Sequence, residues 1–342
     1  MAMPSFAWAL VGPGRIAHKF AEVVQQRPGM HLAAVCGRDA GRARAFAAHW
    51  ARPGRPVPHA HTELPALLAD PAIDAVYIAT PHAQHAEPLM AALQAGKPVL
   101  CEKPLTATQA QAVQAVALAR ARGVFLMEAL WTRFLPLYDA VGGLLRGGAI
   151  GAVQLVQSSF CFPAPVEPAG RLYNPALAGG ATLDLGVYNL ALSRWALAAA
   201  APDGHCPPLA RLQADGALTS TGVDRRVAAT LVFQGGAVAQ FACAIDGLGE
   251  NALSIQGERG RLRIAEPFWG ATEAVLERPG QPPQRLQRPH ALNGFEYQID
   301  EVLRCVRAGL TESPRMPLAE SLALAEWMQA IRDRLGVRYP FE

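Results

Sequence analysis

The chain of 342 residues is 51% hydrophobic and 17% charged, which supplies packed cores and excludes disorder and collagen-like repetition. Its 31 Lys and Arg against 28 Asp and Glu leave a net charge of only +3, too little to argue for nucleic acid or a polybasic membrane patch. Small-molecule partners are expected instead, and the length suggests two domains.

From the N-terminus, Met1 to Ala7 lacks the basic and then apolar pattern of a signal peptide. Short apolar runs then alternate with helical patterns. Phe6 to Val11, His31 to Cys36, Ile73 to Ala79, Val99 to Cys101 and Val124 to Met127 read as strands. Ile16 to Gln26, Asp39 to Trp50, Ala83 to Ala95 and Thr106 to Arg122 read as the helices between them. That rhythm predicts βαβ units and a parallel sheet with helices on both faces. After about residue 128 it changes. Ile150 to Phe162, Arg226 to Phe233, Val238 to Ile245, Ala252 to Ile255 and Arg261 to Ile264 are strand candidates, with hairpin signals at Gln234-Gly235-Gly236 and Gly257-Glu258-Arg259-Gly260. Pro279 to Pro289 reads as an exposed loop, and Phe295 to Arg307 and Leu318 to Leu335 as closing helices. The expected α/β architecture is a Rossmann domain over 1–128, then an α+β substrate and dimerisation domain with an open, mostly antiparallel sheet over 129–342.

No apolar run approaches the ~18 residues of a membrane span; the richest, Trp195 to Ala201, is preceded by Arg194. The six cysteines form no CxxC pair and read as free thiols, so a reducing, cytoplasmic location is expected.

Leu10-Val11-Gly12-Pro13-Gly14-Arg15-Ile16-Ala17 is a strand running through G-x-G-x-x-A into a helix. Gly12 permits the tight turn, Gly14 lets a pyrophosphate approach bare backbone, and Ala17 keeps helix and strand close. The helix start, with Arg15 and Ile16, offers free N–H groups and partial positive charge to a diphosphate. At the end of the second strand, an NAD enzyme usually places an acid for the ribose hydroxyls. Here Cys36-Gly37-Arg38-Asp39 puts glycine there and arginine next. Arg38, with Arg42 a turn later, can hold a 2′-phosphate, so NADP is favoured over NAD. Asp39 reads as a helix cap, with a ribose contact as the other option.

Lys97 to Pro104 is a short strand ending in Glu102-Lys103-Pro104, which points Lys103 toward the crevice where open α/β sheets bind ligands. These residues, with the glycine turn and Thr80-Pro81-His82 followed by His85, resemble the glucose–fructose oxidoreductase and inositol dehydrogenase family. The likeness is greatest to the branch of dimeric dihydrodiol dehydrogenase and NADP-dependent D-xylose dehydrogenase. Met127 to Phe134, Gly179 to Tyr188 and Gly336 to Glu342 extend it over nearly the whole chain.

The resemblance implies Lys103 as a catalytic residue and Tyr188, where many members carry His, as its partner. Asp184, four residues before Tyr188, orients the pair or binds a substrate hydroxyl. A phenol with an ordinary pKa near 10 needs a cation to act as base, which a lysine provides. Thr80, His82 and Glu102 are expected beside the cofactor, His82 standing where the family usually has Asn, and His85, at a helix start, either bonds locally or lines the cofactor cleft. His82 and His85 lack a third ligand at metal spacing, and no metal is expected. Trp131 and Arg133 are expected to wall the substrate cleft, with domain-junction packing as the alternative.

The expected activity is NADP-dependent hydride transfer to or from a carbinol or carbonyl of a small polyol, such as D-xylose or a trans-dihydrodiol. Reduction of an activated ketose such as an anhydro-sugar is the alternative, and a non-enzymatic NADP-binding redox sensor the rival. A homodimer through the antiparallel sheet is implied; nucleic-acid and membrane partners are not.

Overall fold

The computed structural model describes residues 5–342; residues 1–4, on which the signal-peptide expectation partly rests, lie outside the described residues. In chain order the first elements are β1 (Phe6–Val11), α1 (Arg15–Gln26), β2 (Met30–Cys36), α2 (Ala40–His49), β3 (His59–His61), α3 (Leu64–Leu68) and β4 (Ala75–Ile78). Next come α4 (Ala86–Gln94), β5 (Val99–Glu102), α5 (Gln109–Arg122), β6 (Leu126–Ala129), α6 (Pro136–Arg146), β7 (Val153–Cys161) and α7 (Val187–Ala200). Then follow β8 (Leu209–Leu218), β9 (Asp224–Phe233), β10 (Val238–Ala244), β11 (Leu253–Gly257) and β12 (Gly260–Ile264). The last are β13 (Glu273–Glu277), β14 (Gln284–Gln287), α8 (Glu296–Arg307) and α9 (Leu318–Leu335).

These elements form two compact units. One runs to Trp131 and resumes over Ala291–Ala325; the other comprises Thr132–His290 and Glu326–Glu342. The segment Ala291–Ala325, grouped with residues 129–342 on sequence, therefore sits in the first unit. Leu126 N donates to Thr311 O (3.1 Å), Asn293 Nδ2 donates to Lys19 O (3.0 Å) and Glu22 (2.8 Å), and Arg27 pairs with Asp300.

In the first unit six parallel strands lie in the order β3-β2-β1-β4-β5-β6, the doubly wound arrangement. Every residue of β1 is buried, as a strand covered on both faces requires, and this is why it reads as an unbroken apolar run. In the second unit eight strands lie in the order β14-β13-β12-β11-β7-β10-β9-β8, antiparallel except for β7 beside β10. Val227, Ala229, Leu231 and Phe233 of β9 are buried while Arg226 and Ala228 are exposed, so one face of this sheet packs and the other is open. Helix α7 packs on β7 and is buried almost all round.

The hairpin turns foreseen at Gly235-Gly236 and Gly257–Gly260 join β9 to β10 and β11 to β12. One local expectation fails: within the Pro279–Pro289 loop, Gln284–Gln287 forms the edge strand β14 on β13, with Leu286 turned into the core. Polar residues on an edge strand's open face made it look like loop. Among the described residues no helix is long and apolar enough to cross a membrane.

Candidate active site

The glycine turn follows β1. Gly12 has φ +93°, and a Cβ there would lie 2.8 Å from the Ala79 carbonyl and Thr80 nitrogen, so only glycine fits between β1 and the end of β4. Gly14 precedes α1 with no side-chain cap, no acid occupies the first turn, and a Cβ on Gly14 would meet no heavy atom within 4 Å. Arg15 is exposed and Ile16 partly so. The helix start thus presents uncapped N–H groups to open space, the requirement for a diphosphate.

At the end of β2, a Cβ on Gly37 would lie 2.9 Å from the Pro13 ring, so an acid there would collide with the glycine turn. Arg38 and Arg42 are exposed beside it. Asp39 caps α2, accepting from Arg42 N at 2.7 Å, which commits its Oδ1 to the helix.

The turn after β5 is braced from three directions. Glu102 accepts from Tyr77 Oη (2.6 Å), Leu105 N donates to buried Glu128 (2.9 Å), and His85 Nδ1 lies 2.8 Å from Pro104 O. The other ring nitrogen of His85 lies 2.8 Å from Thr80 O, so this fully buried imidazole ties the β4 loop to the Lys103-Pro104 turn. Both ring nitrogens thus face protein carbonyls. Two acceptors favour the imidazolium. Burial disfavours it more strongly, with the charges of His82 and Lys103 adding, and the pKa falls to about 4. His82 is buried with its ring 5.9 Å from that of His85. Lys103 is half-buried, and its bond to Pro104 is cis. Among the described residues, no group of three or more His, Cys, Asp or Glu is arranged to hold a metal ion.

Trp131 packs at 5.3 Å from the Phe295 ring with Lys19 Nζ 5.5 Å over its face, all three within the first unit. Arg133 is half-buried within the second unit.

In that unit Asp184 lies in a wide π turn, Thr182–Gly186, that leads directly into α7 and Tyr188. Such turns interrupt α-helices often at functional sites. Asp184 and Tyr188 are both buried. Two residues not singled out on sequence flank them. Arg171 grips Asp184 with both terminal guanidinium nitrogens, at 3.0 and 3.2 Å. Phe160 lies 5.6 Å from the Tyr188 ring and stacks on Trp269 at 3.5 Å and 6°. Phe160 was visible as the apolar end of a strand, but Trp269 is more than a hundred residues away, and nothing local pairs them.

Residues 6–130 match the oxidoreductase family with an NAD-binding Rossmann fold, and residues 138–263 match the GFO/IDH/MocA C-terminal domain. Trans-1,2-dihydrobenzene-1,2-diol dehydrogenase of Mus musculus is 36% identical over 340 residues, covering 97% of this chain and 98% of the relative. The Homo sapiens enzyme of that name is 33% identical with the same coverage. Among solved structures, a 3-ketoreductase from Actinomadura kijaniata in complex with NADP and TDP-benzene is 28% identical, with a TM-score of 0.80 over 96% of this chain and 97% of that one. An aldose-aldose oxidoreductase from Caulobacter crescentus shares the fold, with a TM-score of 0.84 at 24% identity over 97% of this chain and 98% of that one. Both domain types matched in order, with relatives above 30% identity along almost the whole length, place the chain in the GFO/IDH/MocA oxidoreductase family.

Proposed function

We propose that this protein is an NADP-dependent oxidoreductase acting on a carbinol or carbonyl of a small polyol or cyclic trans-diol. The first unit carries the cofactor side of this reading, and the second the substrate side. The observation that carries it is Lys103 at the carboxyl end of β5, in the same sheet whose glycine turn opens an uncapped helix start. The names of the relatives support it: the dihydrodiol dehydrogenases act on a cyclic diol, and the 3-ketoreductase is held with NADP. Solved variants of that reductase replace one lysine and one tyrosine.

The bare backbone at Gly12 and Gly14, with Arg15 and Ile16, would hold the diphosphate, and Arg38 the 2′-phosphate. Thr80, His82 and Glu102 would line the nicotinamide side, with His85 shaping that wall through its clamp. The bound nicotinamide supplies the hydride acceptor or donor. Tyr188 takes the hydroxyl proton in oxidation and returns it in reduction. Lys103 would supply a cation that favours ionisation of the reacting hydroxyl and polarises a carbonyl oxygen. Asp184 orients the tyrosine or accepts from a substrate hydroxyl. The Phe160–Trp269 wall beside Tyr188 gives a flat apolar surface to one face of a ring, which supports a cyclic substrate, and Trp131 and Arg133 would complete the substrate contacts.

The test is turnover of a panel of aldoses and trans-dihydrodiols with NADP, and of ketoses with NADPH, followed by nicotinamide absorbance. Lys103→Met and Tyr188→Phe should each lower kcat by roughly 10²–10⁴ with NADP affinity little changed. Near-wild-type turnover in either variant would remove that residue from the mechanism. Tight NADP binding with no turnover on any substrate would favour the redox sensor.

We also propose a homodimer through the open sheet face, in a reducing cytoplasmic setting that suits six free thiols, five of them buried. A row of glutamines, Gln256 to Gln157 (2.9 Å) and Gln157 to Gln240 (3.1 Å), crosses that face. It presents paired polar groups and little bulk to a second copy. Light scattering on the double variant Gln157→Arg, Gln240→Arg should give a monomer where the parent gives a dimer.

A further inference from the structure

The segment between β7 and the π turn is firmly held. Phe162 N donates to Ala244 O (3.0 Å) and Ala164 N to Ile245 O (2.9 Å), which fix its start beside β10. Gly170 N donates to Glu167 O (2.8 Å), Asn174 N to Gly170 O (3.0 Å), and Gly180 N to Leu172 O (2.9 Å). A Cβ on Gly179 would lie 2.6 Å from Leu172 O and 3.0 Å from Arg171 O, so the segment lies directly against the glycines that begin the π turn. Arg171 is thus anchored on both sides by backbone. Its Nη1 donates to Asp184 Oδ1 (3.0 Å) and its Nη2 to Oδ2 (3.2 Å), while the Asp184 side chain is only 7% exposed. A bidentate fork fixes the plane as well as the position of a carboxylate.

We propose that Arg171 is a positioning residue for Tyr188, acting through its two-point grip on Asp184 one turn away. The inference rests on the reading above, in which Tyr188 moves the hydroxyl proton.

The charges support the geometry. Arg171 is held above its ordinary pKa first by the charge of Asp184, against desolvation, and also by that of Tyr188. Coupling between two sites is mutual, so the guanidinium in turn favours the phenolate. Losing the guanidinium removes a positive charge from beside Asp184 and Tyr188, which pushes the phenol up. Other titratable groups face the turn from neighbouring strands. Asp224 of β9 accepts from Thr182 N (2.6 Å) and Oγ1 (2.7 Å) at its base. Cys243 of β10 flanks Gly186, its thiol pushed well up by burial. From β7 come Phe160 and Ser158, neither charged, and Tyr138 of α6 packs on Trp195 farther along α7.

The experiment compares Arg171→Gln and Arg171→Lys with the parent in kcat, KM and pH–rate profile, beside an ultraviolet titration of the Tyr188 phenol with Tyr188→Phe as blank. Arg171→Gln should lower kcat roughly ten- to a hundredfold with KM for NADP nearly unchanged. It should also move the Tyr188 titration and the matching limb of the profile upward by roughly one unit. Arg171→Lys, which keeps charge but loses the fork, should restore the titration and only part of kcat. An unmoved Tyr188 titration in Arg171→Gln overturns the proposal, whether or not kcat falls. A Tyr188→Phe enzyme with full turnover overturns it by removing the proton-transfer reading beneath it. The titration still reports the Arg171–Tyr188 coupling in that case, so the two failures are separable.

Discussion

Arg38 stands exposed where β2 ends, next to a glycine whose missing side chain leaves room for the Pro13 ring. The same close approach that bars an acid from position 37 leaves the arginine fork as the group able to meet a ribose substituent. Arg38→Ala should therefore weaken NADP roughly ten- to a hundredfold, the worth of a charged hydrogen bond, and leave NAD nearly unchanged, as measured by cofactor titration. Equal losses for both would assign the arginine to the solvated helix face. Residues of this kind were legible because a strand end, a turn and a helix start are neighbours in the chain. Arg171 was not. It lies 13 residues from Asp184, across a segment with no hydrophobic period, and its role exists only once that segment folds onto Gly179 and Gly180. His85 was half legible: local bonding at a helix start was foreseen, but Pro104 O, its second partner, lies 19 residues on.

The π turn shows how a few residues set an element. Gly180 has φ +117°, and a Cβ there would lie 2.1 Å from Asp224 Oδ1, inside any possible contact. Asp224 meanwhile accepts from Thr182 N and Oγ1 and so fixes the start of the turn that carries Asp184 and Tyr188. Gly180→Ala should cost about 2–4 kcal/mol in denaturant unfolding and lower kcat, since the strain lies directly before the functional turn. Gly143 is the contrast: it lies inside α6, exposed, with nothing within 4 Å of a Cβ. Gly143→Ala should stabilise by about 0.5–1 kcal/mol and leave kcat alone. Elements were most legible where both faces are buried or an 18-residue helix runs unbroken, as in β1 and α9. The short β3 and α3, the helix α6 and the strands β8 and β13 were missed. Half-exposed strands such as β8 mix small and polar residues and carry no clean alternation, so only pairing with β9 defines them.

Across the whole molecule, two fully buried titrating groups act against each other. His85 in the first unit has its pKa lowered to about 4 by burial, below the ordinary 6.5. Asp224 in the second has its pKa raised from 3.8 to about 6, because burial outweighs the two hydrogen bonds from Thr182 and the charge of Arg332. For His85 the unfolded chain binds the extra proton between about pH 4 and 6.5, so this group's stability rises with pH through that window. For Asp224 the native state holds the extra proton between about pH 3.8 and 6, so stability falls as pH rises through nearly the same range. Each shift corresponds to about 3 kcal/mol, and in the intact chain the two slopes oppose one another. Removing one exposes the other. The unfolding free energy of the parent minus that of Asp224→Asn should fall by about 2–3 kcal/mol from pH 4 to 6, whereas the parent minus His85→Gln should rise by a similar amount. Denaturant titrations at four or five pH values measure both differences. Parallel, flat differences would mean that neither group carries its proton as burial dictates, and opposite slopes follow only if one site is kept neutral by losing a proton and the other by holding one.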